Sequence, residues 1–223
     1  MNRGSENNTG GNIKFLSVTQ RGFVERVEEG IEGAVARKLE AGANIGKVVY
    51  EKITNQIVGR VLKIEVSENT DFGDNYNISI DTSVDGNGEK IVLSSKQNSN
   101  PTRNLLKQLL KIDTNKDTKL THKYEEAADG YKYGSVNLGV IQEGEDGKNH
   151  FVGYAHTNAN PNGLPAASSY VDGEGKTRKS YLDQNSFLEE AVSKMVFEVA
   201  PAPVERAEPE PSAEAEDEDD LPF

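Results

Sequence analysis

The sequence contains no cysteine and no tryptophan, and aromatic residues make up only 7% of it. Without cysteine the chain can form neither a disulfide nor a thiolate zinc site, and it has no thiol nucleophile. No apolar run approaches the roughly 18 residues that a membrane-spanning helix needs. Residues 1–12 are too polar for a signal peptide. We therefore expect a cytoplasmic protein without membrane contact.

Negative charge is concentrated at one end of the chain. The formal net charge is −12, and residues 201–223 hold nine acidic residues against one arginine. The rest of the chain is therefore only mildly acidic. A local basic groove remains compatible with this balance, so composition does not exclude a nucleic-acid partner.

Composition divides the chain into three regions. Residues 1–12 are rich in asparagine and glycine and predict a flexible arm. Residues 13–199 contain most of the apolar and β-branched residues and predict one domain. Residues 200–223 combine prolines and alanines with acids and cannot bury enough apolar surface to become ordered. We predict that this last region is a disordered acidic tail.

Three helices are predicted from the spacing of apolar residues. Apolar side chains four apart over residues 23–39 predict an amphipathic helix that ends at Gly42. A second helix is predicted to start at Pro101, because proline is favoured in the first turn. A capping box at Ser186 predicts a last helix that runs to about Val199.

Runs of β-branched and aromatic residues predict six short strands. These cover residues 47–53, 56–66, 76–81, 90–94, 131–141 and 150–156. Short strands at this density, with one helix between them, are typical of a small antiparallel barrel or sandwich. We predict a mainly β fold, a small antiparallel barrel of the oligonucleotide/oligosaccharide-binding (OB) type with flanking helices.

Motifs for catalysis and metal binding are incomplete. Residues 173–177 (GEGKT) lack the first glycine of a phosphate-binding loop. Residues 113–119 begin like a calcium loop, but the glycine and glutamate that should follow are replaced. His150 and His156 have no carboxylate at ligand spacing beside them. We predict no metal site, no cofactor and no enzymatic activity.

The last residues place an apolar tripeptide directly behind an acidic run. This segment consists of Asp217, Glu218, Asp219, Asp220, Leu221, Pro222 and Phe223. It resembles the C-terminal tip of the single-stranded DNA-binding proteins of bacteria and their phages, which end in several acids followed by Ile- or Leu-Pro-Phe. The body departs from the bacterial pattern in its length, its early helix and its lack of tryptophan. The resemblance is therefore to a divergent, phage-type member.

The resemblance implies sequence-independent binding of single-stranded DNA in replication, recombination or repair, within the host cytoplasm. It also implies that replication and repair proteins bind the tip. The ring of Phe223 suits an apolar pocket, and a terminal carboxylate suits a basic group beside it. Pro222 restricts the unbound peptide, and the acids attract a basic rim. We expect the tail to compete with DNA for the body, and a homo-oligomer is compatible with this function.

Single-strand binding needs cations beside exposed aromatic rings. The candidate DNA contacts are Tyr50, Lys52, Arg60, Phe72, Tyr76, Arg103, Lys107, Lys111, Tyr131, Lys132, Tyr133, Phe151, Tyr154, Lys176, Arg178 and Lys179. Tyr131 and Tyr133 are the preferred stacking residues, because an apolar face is supplied elsewhere in their predicted strand. Strand aromatics usually pack inward, so each ring is also a candidate core residue. The basic stripe of Arg103, Lys107 and Lys111 fits a solvated helix face equally well.

Other function classes remain as alternatives. An adaptor would use the C-terminal tip to occupy a host protein without binding DNA itself. A DNA mimic would present acids to a DNA-binding enzyme, but the basic clusters at 103–111 and 176–179 argue against it. A magnesium-dependent nuclease or phosphatase would need clustered acids outside the tail, and the sequence has no such motif.

Overall fold

The computed structural model describes residues 13–40, 42, 44–67, 74–82, 89–127, 129 and 134–197. Over these residues the chain forms twelve strands and two helices. The strands are β1 (Ile13–Thr19), β2 (Gly22–Val27), β3 (Val35–Lys38), β4 (Val48–Thr54), β5 (Gln56–Ser67), β6 (Asn75–Asp81), β7 (Lys90–Lys96), β8 (Thr118–Glu125), β9 (Ser135–Glu143), β10 (Asn149–Phe151), β11 (Ser168–Val171) and β12 (Thr177–Ser180). The helices are α1 (Asn100–Leu109) and α2 (Leu182–Ser193).

Ten of the described strands form one large sheet. Their order across the sheet is β10-β9-β8-β5-β6-β7-β1-β2-β4-β3. Every neighbouring pair is antiparallel except β1 and β7, which run parallel with Leu16 opposite Leu93. The remaining two strands, β11 and β12, form a separate hairpin. The mainly β prediction is confirmed.

The long strand β5 bends the sheet. Its first residues pair with β8 and the rest pair with β6, with a bulge between Val61 and Lys63. The bend brings the turn after β1 towards β8, where the ring of His122 hydrogen-bonds the Thr19 carbonyl oxygen. No ladder joins β2 to β8 in the described residues, and the sheet is not closed. A closed barrel is therefore not confirmed.

The core lies between the inner face of the sheet and the two helices. Strand β6 alternates strictly, so that Tyr76, Ile78 and Ile80 are buried while the residues between them are half-buried. Leucines of α1 and the Leu188 and Val192 side chains of α2 join the same apolar cluster. Helix α1 starts as its sequence dictates, because the Ser99 side chain accepts from a backbone N–H in the first turn and proline follows within the first two helical positions.

The first predicted helix is wrong. Residues 23–39 instead form β2, a turn and β3. Gly30 and Gly33 adopt φ values of +86° and +76°, a left-handed conformation that a right-handed helix cannot contain. Pairing with β1 and β4 supplies the backbone hydrogen bonds and buries Phe23 and Val24, which outweighs the helical spacing of the apolar residues.

The bounds of the last helix and of strand β10 also differ from those expected from the sequence. Helix α2 begins at Leu182 without a side-chain cap, so Ser186 lies inside the helix and not at its start. The helix ends at Ser193, before the expected Val199. The strand predicted over residues 150–156 is confined to β10. No helix in the described part of the chain has the length and apolarity to cross a membrane.

Candidate nucleic-acid interface

The sheet has an outer face, opposite the core, that the two helices leave open. Cross-strand partners share a face, so the registers place Phe15, Val92 and Ser79 side by side on it. The neighbouring pair Asn77 and Ser94 continues the same face. These side chains are exposed or half-buried, in contrast to the buried inner-face residues of the same strands.

An outer-face groove of about 840 Å³ crosses β1, β2 and β4. We use this name for the concavity lined by Ile13, Phe15, Val24, Arg26, Arg37, Glu51 and Lys96, among others. Phe15 is 69% exposed, which is unusual for a phenylalanine in the middle of a strand. An exposed aromatic ring beside arginine and lysine side chains is the combination that stacks bases and neutralises phosphates.

Glu51 lines this groove and binds two arginines, of which Arg37 also lines it. Its carboxylate is only 2% exposed and accepts from Nε and Nη2 of Arg37, the latter at 2.6 Å, and from Arg21. These guanidinium groups lower the pKa of Glu51 to about 2, against the opposing effect of its burial. One carboxylate holds two arginines, so the cluster retains one net positive charge at neutral pH. Both guanidinium side chains remain more than a third exposed.

A second concavity, the hairpin groove, has a volume of about 650 Å³. It lies where α1, the β11–β12 hairpin and the start of α2 meet, and it is lined by Asn98, Arg103, Ser168, Tyr170, Lys179, Ser180, Tyr181, Leu182 and Asn185. The Arg103 guanidinium stacks on the Tyr181 ring at 3.9 Å from its centroid. Arg103 is 5% exposed, and burial lowers its pKa.

The structure brings part of the predicted set together in the hairpin groove. Arg103 and Lys179 both line it, and Arg178 lies opposite Tyr170 across the hairpin. Arg178 bridges Asp172 at 2.8 Å, and Lys176 bridges an exposed glutamate of the same turn. Asp172 and Glu174, which directly precede the predicted 176–179 cluster, therefore neutralise part of its positive charge.

The helix stripe does not form one free basic surface. Arg103 is buried, Lys107 is half-buried and Lys111 is exposed. Burial and the nearby Arg103 charge lower the pKa of Lys107. Arg103 and Lys107 lie one turn apart in α1, as expected from their spacing, whereas Lys111 follows the end of the helix.

Several predicted rings lie elsewhere. Tyr76 is 1% exposed and belongs to the core, and burial raises its pKa to about 12. Tyr50 is half-buried and points to the opposite side of β4 from Glu51; a hydrogen bond with Glu29 raises its pKa. Phe151 is 74% exposed at the far edge of the sheet, beside Gly139. The Phe151 ring packs over Gly139, and a Cβ at that position would lie 3.2 Å from the ring.

The remaining predicted residues are placed as follows. Tyr154 is 45% exposed in the irregular segment after β10, and its neighbour Ala155 donates to the Lys107 carbonyl oxygen at 2.8 Å. Lys52 and Arg60 are half-buried on separate strands. Outside the described residues lie Phe72, Tyr131, Lys132, Tyr133 and the tip residues 217–223.

The sequence-based reasoning missed the outer-face groove. The alternation of IKFLSVT over β1 carried a strand signal, since Leu16 faces the core while Ile13 and Phe15 face outward. The two arginines around Glu51 carried no such signal, because their meeting depends on the pairing of β4 with both β2 and β3. The described residues hold no group of three or more histidine, aspartate or glutamate side chains that could bind a metal ion.

Comparison with known proteins gives no relative. No protein-family model matches the chain, and neither curated proteins nor solved structures provide a match. The function must therefore be argued from the residues of the chain itself.

Proposed function

We propose that the protein binds single-stranded DNA without sequence preference. The observation that carries this proposal is the exposed Phe15 ring, which lies with Arg26, Arg37 and Lys96 in one groove on the helix-free face of the sheet. Every base has a π-face and every nucleotide a phosphate, so stacking and charge neutralisation bind without reading sequence.

The strand order supports an OB-like unit within the sheet. Strands β9-β8-β5-β6-β7 are adjacent in that order, and α1 separates β7 from β8 along the chain. We propose that these five strands correspond to the five strands of an OB fold, with β5 as the first. OB folds bind oligonucleotides on strands 2 and 3 and with the loops that join strands 1–2 and 4–5.

The proposed correspondence gives the predicted rings a role. Strands 2 and 3 are then β6 and β7, whose outer face adjoins Phe15. The two binding loops are the segments between β5 and β6 and between β8 and β9. In the sequence these segments contain Phe72 and the Tyr131–Lys132–Tyr133 triplet.

The acidic tail remains part of the proposal on sequence grounds. Residues 217–223 would present Leu-Pro-Phe to replication and repair proteins, and the acids before it would occupy the basic groove when DNA is absent. A tether keeps the tail at high effective concentration near the body. Deleting residues 201–223 should then tighten DNA binding at low salt and remove partner recruitment.

The decisive experiment measures fluorescence anisotropy of a labelled dT oligonucleotide and a matched duplex at two salt concentrations. We expect the dT oligonucleotide to bind more tightly than the duplex and its affinity to fall as salt rises. The same titration with residues 201–223 deleted tests the tail separately. If neither the full chain nor the deletion binds dT even at low salt, the proposal is wrong and the adaptor alternative gains support. Unchanged affinity on deletion would contradict only the competition by the tail.

A further inference from the structure

Arg103 is a buried cation without a carboxylate partner among the described residues. Its side chain is 5% exposed, and within this part of the chain the one charge interaction that favours its guanidinium is with Tyr181, on which it stacks. None of the ion pairs among the described residues involves Arg103. The nearby Lys107 repels the Arg103 charge, and this repulsion lowers the pKa of Lys107. Glu51 shows the opposite arrangement, in which a buried charge is fully paired.

An unpaired buried charge costs free energy unless something compensates it. Arg103 lines the wall of the hairpin groove, so part of its side chain borders the concavity. Lys179 lines the same groove and is exposed. Two cations converge on one concavity, and an anion bound between them would supply the missing compensation. A guanidinium is especially suited to a phosphate, which it can bind through two parallel N–H donors.

The groove also contains an unused hydrogen-bond acceptor. The side-chain oxygen of Asn185 is buried and has no partner among the described residues, although its amide nitrogen donates to Asn98. Asn185 is 5% exposed and lines the groove. A buried acceptor without a donor requires an explanation, because such groups are almost always satisfied in native proteins. The groove therefore suits a ligand that carries both an anion and an N–H or O–H donor.

An aromatic ring completes the site. Tyr170 on β11 is 52% exposed and lines the same groove, in contrast to the buried Tyr76. Exposed rings of this kind stack on bases. Phosphate, base N–H and base π-face are the three groups that Arg103, Asn185 and Tyr170 would bind, and every nucleotide carries all three.

We propose that the hairpin groove binds one nucleotide of a single DNA strand. Its phosphate lies between Arg103 and Lys179, its base stacks on Tyr170, and a base N–H donates to Asn185. This inference rests on the proposed function and adds to it a second contact point, outside the strands and loops of the OB-like unit.

The test compares R103M and Y170A with matched controls in dT binding. Methionine is unbranched and replaces the aliphatic part of the arginine side chain, and replacing a buried cation by an apolar side chain is compatible with folding. Tyr170 is exposed, so Y170A leaves the core intact. The controls are K194M, which removes an exposed cation directly after α2, and Y124A, which removes an exposed ring of β8.

We expect R103M to weaken dT binding about tenfold or more and to reduce the slope of log affinity against log salt by about 0.7, the value for one phosphate contact. Y170A should weaken binding about fivefold or more. K194M and Y124A should stay within about twofold of the unmodified protein. If R103M and Y170A bind like the controls while dT binding itself is intact, the groove inference is overturned and the proposed function stands.

Thymidine 5′-monophosphate provides a readout that is independent of the oligonucleotide. The full-length protein should show a rise in thermal midpoint with this nucleotide, and R103M should show none. A rise that persists in R103M, or no rise at all in the unmodified protein, overturns the inference. If dT fails to bind but the Arg103-dependent rise is present, the proposed function is wrong and the groove remains a nucleotide site.

Discussion

The imidazole of His122 donates from Nε2 to the carbonyl oxygen of Thr19, with 2.7 Å between the two atoms. The same ring meets Phe23 edge to face, with 5.8 Å between the ring centroids. These contacts join β8 to the turn between β1 and β2, where the described residues form no strand ladder. One side chain therefore holds together two parts of the sheet that lie far apart in its strand order.

Replacing His122 by alanine should destabilise the protein by about 2–4 kcal/mol, because the change removes a buried hydrogen bond and leaves a cavity beside Phe23. H122Q should recover part of the loss, since its amide can donate to Thr19. Urea unfolding measures both variants. H150A serves as the control, because His150 is exposed and its contact with Asp146 lies at the surface, so this substitution should change stability little. Equal stability of H122A and H150A would contradict the role of His122.

Glu51 should make stability depend on pH. Its pKa falls from the ordinary 4.5 to about 2 in the folded protein, so its contribution is complete above pH 4.5 and is lost as the pH falls towards 2. The shift corresponds to about 3 kcal/mol at neutral pH. The stability difference between the unmodified protein and E51Q should therefore be largest near pH 7 and shrink below pH 4.5.

Urea unfolding of both proteins from pH 7 to pH 3 measures this difference. E65Q is the matched control, because Glu65 forms an exposed pair with Lys63 on β5. We expect the E65Q difference to be small at every pH. A difference for E51Q that stays constant across the pH range would contradict the prediction.

Replacing Phe15 by alanine should weaken DNA binding with little effect on folding. A base–ring stack contributes about 1–3 kcal/mol, so the affinity for a dT oligonucleotide should fall about fivefold to 150-fold. Stability should change by less than about 0.5 kcal/mol, because Phe15 is 69% exposed. I45A removes another exposed apolar side chain, 67% exposed in the turn between β3 and β4, and should leave affinity unchanged. An equal loss of dT affinity in F15A and I45A would contradict the role of the outer-face groove in DNA binding.

Gly59 should tolerate no side chain. A Cβ at this position would lie 2.4 Å from the Asp81 backbone oxygen on the neighbouring strand. We expect G59A to lose about 2 kcal/mol or more of the free energy of unfolding, because backbone must shift to relieve the contact. G153A is the control, since a Cβ at Gly153 meets nothing within 4 Å. Thermal or urea unfolding that ranks the two variants equally would contradict this steric explanation.

The sequence predicted the elements whose burial follows a local pattern. Strands β4 to β7 were found within a few residues of their bounds, because β-branched residues alternate with polar ones along them. Helix α1 was predicted from Pro101, and Ser99 caps it as the local sequence requires. In these segments the buried face can be read from neighbouring residues alone.

The other elements depend on partners far along the chain. Strand β1 pairs in parallel with β7, so nothing near Phe15 indicates its neighbours. The helical spacing over residues 23–39 is real in the sequence, but strand pairing on both sides of β2 decides the structure. Nothing near Glu51 in the sequence indicates its burial, because only the fold brings Arg21 and Arg37 to it. Arg103 was predicted as a DNA contact, with a solvated helix face as the alternative, but it is buried and stacks on Tyr181, which lies far along the chain.

The parallel pairing of β1 with β7 also governs how the chain assembles. Ile13 lies opposite Lys90, so β1 pairs with a strand that is synthesised much later. Pairings between such distant segments form late and slow the search for the native topology. Until that pairing has formed, β1 can also add to β7 of another copy, and it does so more readily as the protein concentration rises. Refolding at high protein concentration is therefore expected to produce strand-exchanged dimers alongside the monomer.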